Sequence, residues 1–242
     1  MRMQTVSEQM HLDSLDGALG FLEGKLSRAR AAPGTAVPAC PGWTVADLYG
    51  HLGTVHRWIS EILELAGTGQ RPGPRSDGSR PPDADPFDFF AASAREMFRK
   101  LCAADPATPS WTFGPPPRTV RFWLRRQNLE HLIHAEDLAQ ALRLPAPELS
   151  AQMALDGADE VLGMLVPQRI RAGSVPAPSP ALAFESAGRR WLIGDGEPVA
   201  ELSSEPVPLF HGLWGRSRLL ESATVAGPVR GFTEFLATDY VP

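Results

Sequence analysis

Trp123, Gln127, Glu130, His134, Asp137 and Ala141 recur at intervals of three and four, the spacing that lines side chains up along one face of a helix. Phe122 and Ile133 border this row on one side and Leu138 on the other. A polar row bracketed by apolar residues belongs to a core-facing surface. Carboxylates and imidazoles are costly there unless they are paired or bound to a metal. Glu130 and His134 stand four apart, as two helical residues must to grip one ion in the HExxH pattern. The same spacing also suits a plain Glu–His hydrogen bond, so a third donor is needed to separate the readings. His51 supplies a candidate, lying three residues after Leu48 and four before Val55 within the apolar stripe of another predicted helix. Alone it reads equally well as a core histidine donating to a backbone carbonyl. His56 falls at the edge of that stripe, and His131 is rotated by about 100° from Glu130, so both are poorer candidates.

His51, Glu130 and His134 together form a set of two histidines and one carboxylate. Three protein ligands with one open position is the arrangement of catalytic zinc, whereas structural zinc closes its shell with four. The same borderline donors accept nickel, iron or cobalt. Asp137 is placed either to accept from the His134 ring and orient it or to bridge to Arg126 or a neighbouring helix. Cys40, between Pro38 and Pro41, reads as a packed and inert thiol.

These residues need helices to hold them. A helical period runs from Thr5 to about Ala31 through Met10, Leu12, Leu15, Leu19, Leu22 and Leu26. After a Pro/Gly-rich loop, Thr44 and Asp47 form a capping-box pattern that opens a second helix, running to about Ala66. Gly67 to Pro86 is rich in Gly, Pro and Ser and is expected to be an exposed, mobile loop. A third helix spans about Phe87 to Ala104 and a fourth about Thr119 to Arg143, ended by Leu144-Pro145-Ala146-Pro147. Four helices with one apolar face each imply an antiparallel four-helix bundle. Beyond it, Ala151 to Val166 reads as helix. Short alternating runs follow at Ala181–Glu185, Arg190–Ile193 and Val199–Leu202, then helices at about Pro206–Trp214 and Pro228–Ala237. The expected organisation is a bundle over residues 1–147 and a small α+β domain over residues 148–242.

Composition excludes several classes of function. The 242 residues carry 23 Lys+Arg against 28 Asp+Glu, a net charge of −5, so nucleic acid is not an expected partner. Two cysteines cannot build a disulfide framework. The opening MRMQTVSEQMHLDSL has no apolar signal-peptide core, and no stretch is apolar for the ~18 residues a membrane span needs. A cytoplasmic protein without a membrane partner is expected, as a monomer or small homo-oligomer. All but two of its basic residues are arginine, which matches a high-GC coding background.

The run Val37-Pro38-Ala39-Cys40-Pro41-Gly42-Trp43-Thr44-Val45-Ala46-Asp47-Leu48, followed by His51-Leu52-Gly53, resembles a signature of the mycothiol-dependent maleylpyruvate isomerases. These belong to the DinB-like metal-binding bundles. Glu130-His131-Leu132-Ile133-His134-Ala135-Glu136-Asp137-Leu138 resembles that family's second signature, E-x-x-x-H-x-x-D-L. The resemblance implies that His51, Glu130 and His134 are zinc ligands, in agreement with the helical-face argument. Leu213-Trp214-Gly215-Arg216 and Val225-Ala226-Gly227-Pro228 resemble the family's sterol-carrier-like C-terminal domain. There an arginine supports catalysis; Arg216 matches that position and Arg218 is the alternative. The cosubstrate so implied is mycothiol, a low-molecular-weight thiol of actinobacteria, acting with a small electrophilic substrate. Its metal-bound thiolate would perform isomerisation or thiol transfer, although fold and ligand set do not by themselves choose between these and hydrolysis. A non-catalytic small-molecule-binding protein, its polar row merely hydrogen-bonded or its metal structural, is the competing reading.

Overall fold

The computed structural model describes residues 6–238, 240 and 241. The chain divides into two compact units, one spanning Ser7–Pro147 and the other beginning at Glu148. The expected helical N-terminal region followed by α+β structure is what the fold shows.

In the first unit, Ser7 caps α1 (Glu8–Gly24) by accepting from the Met10 amide. The expected single helix to Ala31 breaks at Lys25, and a separate turn, α2 (Leu26–Ala31), follows. Gly24 is the weak point, because glycine in a helix costs about 1 kcal/mol relative to alanine. The capping box at the start of α3 (Val45–Glu64) is present in both directions: Asp47 N donates to Thr44 Oγ1 at 3.3 Å, and Thr44 N donates to Asp47 Oδ2 at 2.9 Å. Asp85 caps α4 (Pro86–Ala103) through the Phe87 and Asp88 amides, with Pro86 where its missing N–H costs nothing. α5 (Val120–Leu142) stops at Arg143, which turns left-handed at φ 53°.

α3 packs on α4, α1 on α5, and the ring closes through α3 with α5 and α1 with α4. Leu15, Leu22, Leu48, Leu52, Ile59, Phe90, Met97, Trp123 and Leu138 fill the space between them, each almost wholly buried. Each such side chain contributes roughly 1.5–3 kcal/mol. Gly53 sets the closest approach of α3 to α4, since a Cβ there would come within 2.4 Å of the Phe89 ring.

The loop after α3 is largely exposed, as expected, but its backbone is anchored at one point. Gly73 accepts from Trp58 Nε1 at 3.1 Å and donates to Glu61 Oε1 at 2.9 Å, so α3 side chains three residues apart fasten its backbone. A single 3-10 turn, Arg75–Gly78, then lies against α3.

In the second unit, α6 (Ala151–Glu160) continues through a widened turn at Val161–Leu165 into α7 (Val166–Arg171). The helix therefore runs past its expected end at Val166. Pro167 has no N–H for the i−4 carbonyl, and the widened turn just before it absorbs that missing bond. The sheet order is β2 (Arg189–Ile193), β1 (Leu182–Ser186), β3 (Ala200–Ser203) and β4 (Thr224–Ala226), with only β1–β3 parallel. β4 was not expected; three mostly exposed residues carry too little alternation to register. Gly227 just after it has φ 92°, and a Cβ there would meet Val199 O at 2.5 Å. α8 (Pro206–Leu213), α9 (Leu219–Ser222) and α10 (Arg230–Leu236) complete the unit. Among the described residues, no helix is long and apolar enough to cross a membrane.

Candidate metal centre

α3 and α5 bring the three expected donors together. One ligand atom each from His51, Glu130 and His134 lies within 4.8 Å of the others. His51 Nε2 is 3.1 Å from Glu130 Oε1, and His134 Nε2 is 3.4 Å from the same oxygen. The two imidazole rings meet nearly edge to face at 5.1 Å. Trp43, from the loop before α3, lies 4.7 Å from the His51 ring and 6.1 Å from the His134 ring. Its indole forms an apolar wall on the pair.

The supporting contacts account for the charges. Asp137 Oδ2 accepts from His134 Nδ1 at 2.9 Å, the orienting arrangement of the two considered from sequence. Arg126, one turn before Glu130 and nearly buried, donates to Glu130 Oε2. Burial by itself would raise the Glu130 pKa. The Arg126 charge and hydrogen bonds from His134 and His51 overcome it and hold Glu130 well below the usual carboxylate range. Burial would lower the His134 pKa, but hydrogen bonds with Asp137, Cys40 and Glu130 lift it well above the usual imidazole value. His51 goes the other way: burial lowers it more than Glu130 raises it. These surroundings favour the charged forms of Glu130 and His134 and the neutral form of His51. A metal entering this cluster would displace the His134 proton, since ligating histidines are neutral. Two nitrogens and an oxygen converging in this way suit a borderline divalent ion such as zinc.

Cys40, expected as a packed thiol, does pack against the bundle core, and it also reaches the surroundings of His134. Cys40 Sγ donates to Asp137 Oδ2 at 3.5 Å, and Cys40, His134 and Asp137 form a second convergent group. The 97 positions separating Cys40 from Asp137 leave no local pattern to read. Arg126 could have been found, because it precedes Glu130 by four residues on the same helix.

His56 and His131 lie outside this cluster and instead contact each other, Nε2 to Nε2, at 2.7 Å. Arg216 belongs to the second unit, just after α8. Its Nη1 donates to Trp214 O at 2.5 Å, and its backbone N–H to His211 O at 2.7 Å. Arg218 is exposed and paired with Glu221 at 3.0 Å.

A family model described as the mycothiol maleylpyruvate isomerase N-terminal domain matches residues 18–139. Among solved structures, the chain is similar to the crystal structure of the mycothiol-dependent maleylpyruvate isomerase. The TM-score is 0.66 at 15% identity, covering 94% of this chain and 98% of that one. A histidine-to-alanine mutant of that enzyme matches with TM-score 0.67 at the same identity and coverage. At this identity the likeness concerns the fold. No curated protein sequence matches the chain.

Proposed function

The chain belongs to the mycothiol maleylpyruvate isomerase family, and from that premise we propose that it is a zinc enzyme that uses mycothiol to isomerise a small electrophilic substrate. The observation that carries this reading is the convergence of His51, Glu130 and His134 within 4.8 Å on α3 and α5, all three inside the matched region. When bound there, zinc would favour the thiolate form of a coordinated thiol. His51 Nε2, His134 Nε2 and one Glu130 oxygen would hold the ion. Asp137 fixes the His134 ring by taking its Nδ1 proton in a hydrogen bond, and Arg126 fixes the Glu130 carboxylate. Trp43 shields the His51 and His134 rings. The nucleophile arrives with the cosubstrate, so neither cysteine is needed as one. Thiol addition to an activated cis double bond, rotation about the resulting single bond and loss of the same thiol give the trans isomer without consuming thiol. Arg216 is assigned the part of a cation that holds the substrate's carboxylate or steadies the enolate formed on addition. Thiol transfer to an electrophile would use the same donors.

The test is metal analysis joined to a thiol-dependent assay. The purified chain should carry about one zinc, and His51→Ala and His134→Ala should lose it while remaining folded. Zinc-loaded protein should isomerise a cis-enone acid only when mycothiol is supplied. Arg216→Ala should lower turnover with zinc content unchanged. A folded wild-type chain that takes up no divalent metal would end the proposal. Chelation that unfolds the bundle would make the metal structural.

A further inference from the structure

A cavity of about 510 Å³ opens beside α3, within the first unit. Its wall includes His51 itself and, beside Ala46, Gly50 and Asp47, the polar side chains of Thr54, Arg75, Ser76, Ser79 and Arg80. The functional reading above uses none of these five residues. The segment supplying Arg75 to Arg80 is held to α3 by the Gly73 contacts with Trp58 and Glu61. Gly78 also lies against α3, where an added Cβ would reach Arg57 Cβ at 3.4 Å and Thr54 O at 3.5 Å. The cavity wall is therefore fastened to α3 at Gly73 and packed on it at Gly78.

Its charge has a definite balance. Arg75 and Arg80 contribute two guanidinium groups, and Asp47, the remaining charged residue of the wall, contributes one carboxylate. Asp47 Oδ2 is already taken up in the capping box by Thr44 N and Thr44 Oγ1. Arg80 spends one nitrogen on the Pro81 and Ala84 carbonyls. No hydrogen bond or ion pair ties Arg75 to another described residue. A guanidinium with a free fork, beside serine and threonine hydroxyls, is a carboxylate-binding arrangement. One net positive charge suits a single carboxylate better than a phosphate dianion.

We propose that this cavity is an anion subsite in which Arg75, assisted by Arg80 and the Ser76 and Ser79 hydroxyls, binds the carboxylate of a small organic acid beside His51. Arg216, on the other unit, is a separate cation, so this part of acid recognition belongs to the N-terminal unit alone. The inference rests on the functional reading only in taking the acid to be that enzyme's electrophilic substrate.

The experiment titrates the full chain, with and without zinc, with crotonate and with its neutral isostere crotonamide, followed by NMR. Crotonate should bind in both states, and crotonamide at least about tenfold more weakly, as expected for loss of a charge-assisted hydrogen bond. Arg75→Gln should weaken crotonate binding by about tenfold or more while leaving zinc content and crotonamide binding unchanged. Arg71→Gln, in the same loop but outside the cavity wall, should leave crotonate binding unchanged. Equal crotonate affinity in wild type and Arg75→Gln overturns the proposal. So does crotonate binding that requires zinc and ignores Arg75, because the metal would then be the anion's partner. If the chain holds no zinc, the functional reading fails while the zinc-free titration still decides the cavity.

Discussion

Two histidine pairs join the same two helices, and they are built in opposite ways. His51 of α3 and His134 of α5 both turn Nε2 toward a third atom, Glu130 Oε1, at 3.1 and 3.4 Å. His56 of α3 and His131 of α5 turn Nε2 toward each other at 2.7 Å, with rings stacked only 9° from parallel. The second pair closes on itself. His131 Nδ1 lies 2.6 Å from Gln127 O, which can only accept, so that nitrogen carries the proton. His131 Nε2 must then accept from His56 Nε2–H. His56 Nδ1 lies 3.2 Å from Ser93 Oγ, whose own hydroxyl donates to Phe89 O at 2.8 Å. The bond between the rings and the one to Gln127 O are made without a charge, and both residues are fully buried. The first pair has a carboxylate at its centre and Arg126 and Asp137 behind it. A buried imidazole is thus a candidate ligand when its lone pair shares a focus with other donors, and core structure when its partners already exhaust it.

The largest expected effect tests the charged member of this contrast. Glu130→Gln leaves the Arg126 guanidinium, with only 6% of its side chain exposed, without its carboxylate. Breaking a buried ion pair in this way costs about 3–5 kcal/mol, readable as a drop in the urea midpoint together with loss of bound zinc. Asp137→Asn comes next. It keeps the volume but alters the acceptor that orients His134, and outer partners of metal-bound histidines are worth about 10–100-fold in affinity. A chelator competition should show that loss with the helical signal intact. If Asp137→Asn binds zinc as tightly as wild type, the first pair is no more a metal site than the second.

The neutral pair should respond in stability alone. His56→Leu deprives His131 Nε2 of its donor in a site closed to water, an unsatisfied polar group worth about 1–3 kcal/mol. Zinc affinity should stay near the wild-type value, and His56→Gln, which restores a donor, should recover part of the lost stability. Acid should act on the same pair. Burial first, then the neighbouring His131 and His51 charges, lower the His56 pKa well below the usual value despite an opposing contribution from Glu130. For His131, burial outweighs the Gln127 hydrogen bond and the Glu130 charge, bringing the pKa to about 4. A histidine with a lowered folded pKa leaves the unfolded chain binding more protons below the ordinary value. Stability from this pair is therefore complete above about pH 6.5 and declines as the pH falls toward 4. The decline should be shallower in His56→Leu, which has one such group fewer.

Local chemistry is the part of this molecule that can be read from sequence. The Thr44–Asp47 capping box needs only residues three apart, and the row through Glu130, His134 and Asp137 needs only the helical period. What sequence did not disclose depends on how helices rotate against each other or on where a loop returns. His56 and His131 looked like peripheral residues on two separate stripes, yet their 2.7 Å contact is set by the packing of α3 on α5. The Gly67–Pro86 segment reads as mobile from its composition, because nothing local announces that Trp58 and Glu61 grip Gly73. The break at Lys25 and the widened turn before Pro167 are similar: each is a local weakness whose resolution the rest of the fold decides.

The smallest effect sharpens the comparison at its least legible residue. Cys40 shares Asp137 Oδ2 with His134, but a thiol is a weak donor and its contact is 3.5 Å against 2.9 Å for the imidazole. Cys40→Ala removes the weaker of two donors to one acceptor and leaves the stronger in place. The expected cost is at most about 1 kcal/mol of stability, with zinc affinity changed much less than in Asp137→Asn. The alternative is that the thiolate itself joins the metal, and it predicts the reverse. Cys40→Ala would then lower zinc affinity at least as much as Asp137→Asn, and the cobalt-substituted wild type would show a thiolate-to-metal charge-transfer band that the variant lacks. A cobalt spectrum without that band keeps Cys40 beside the centre as a hydrogen-bond donor. On the proposed function, a coordination position would then stay open for a thiol that arrives from solution.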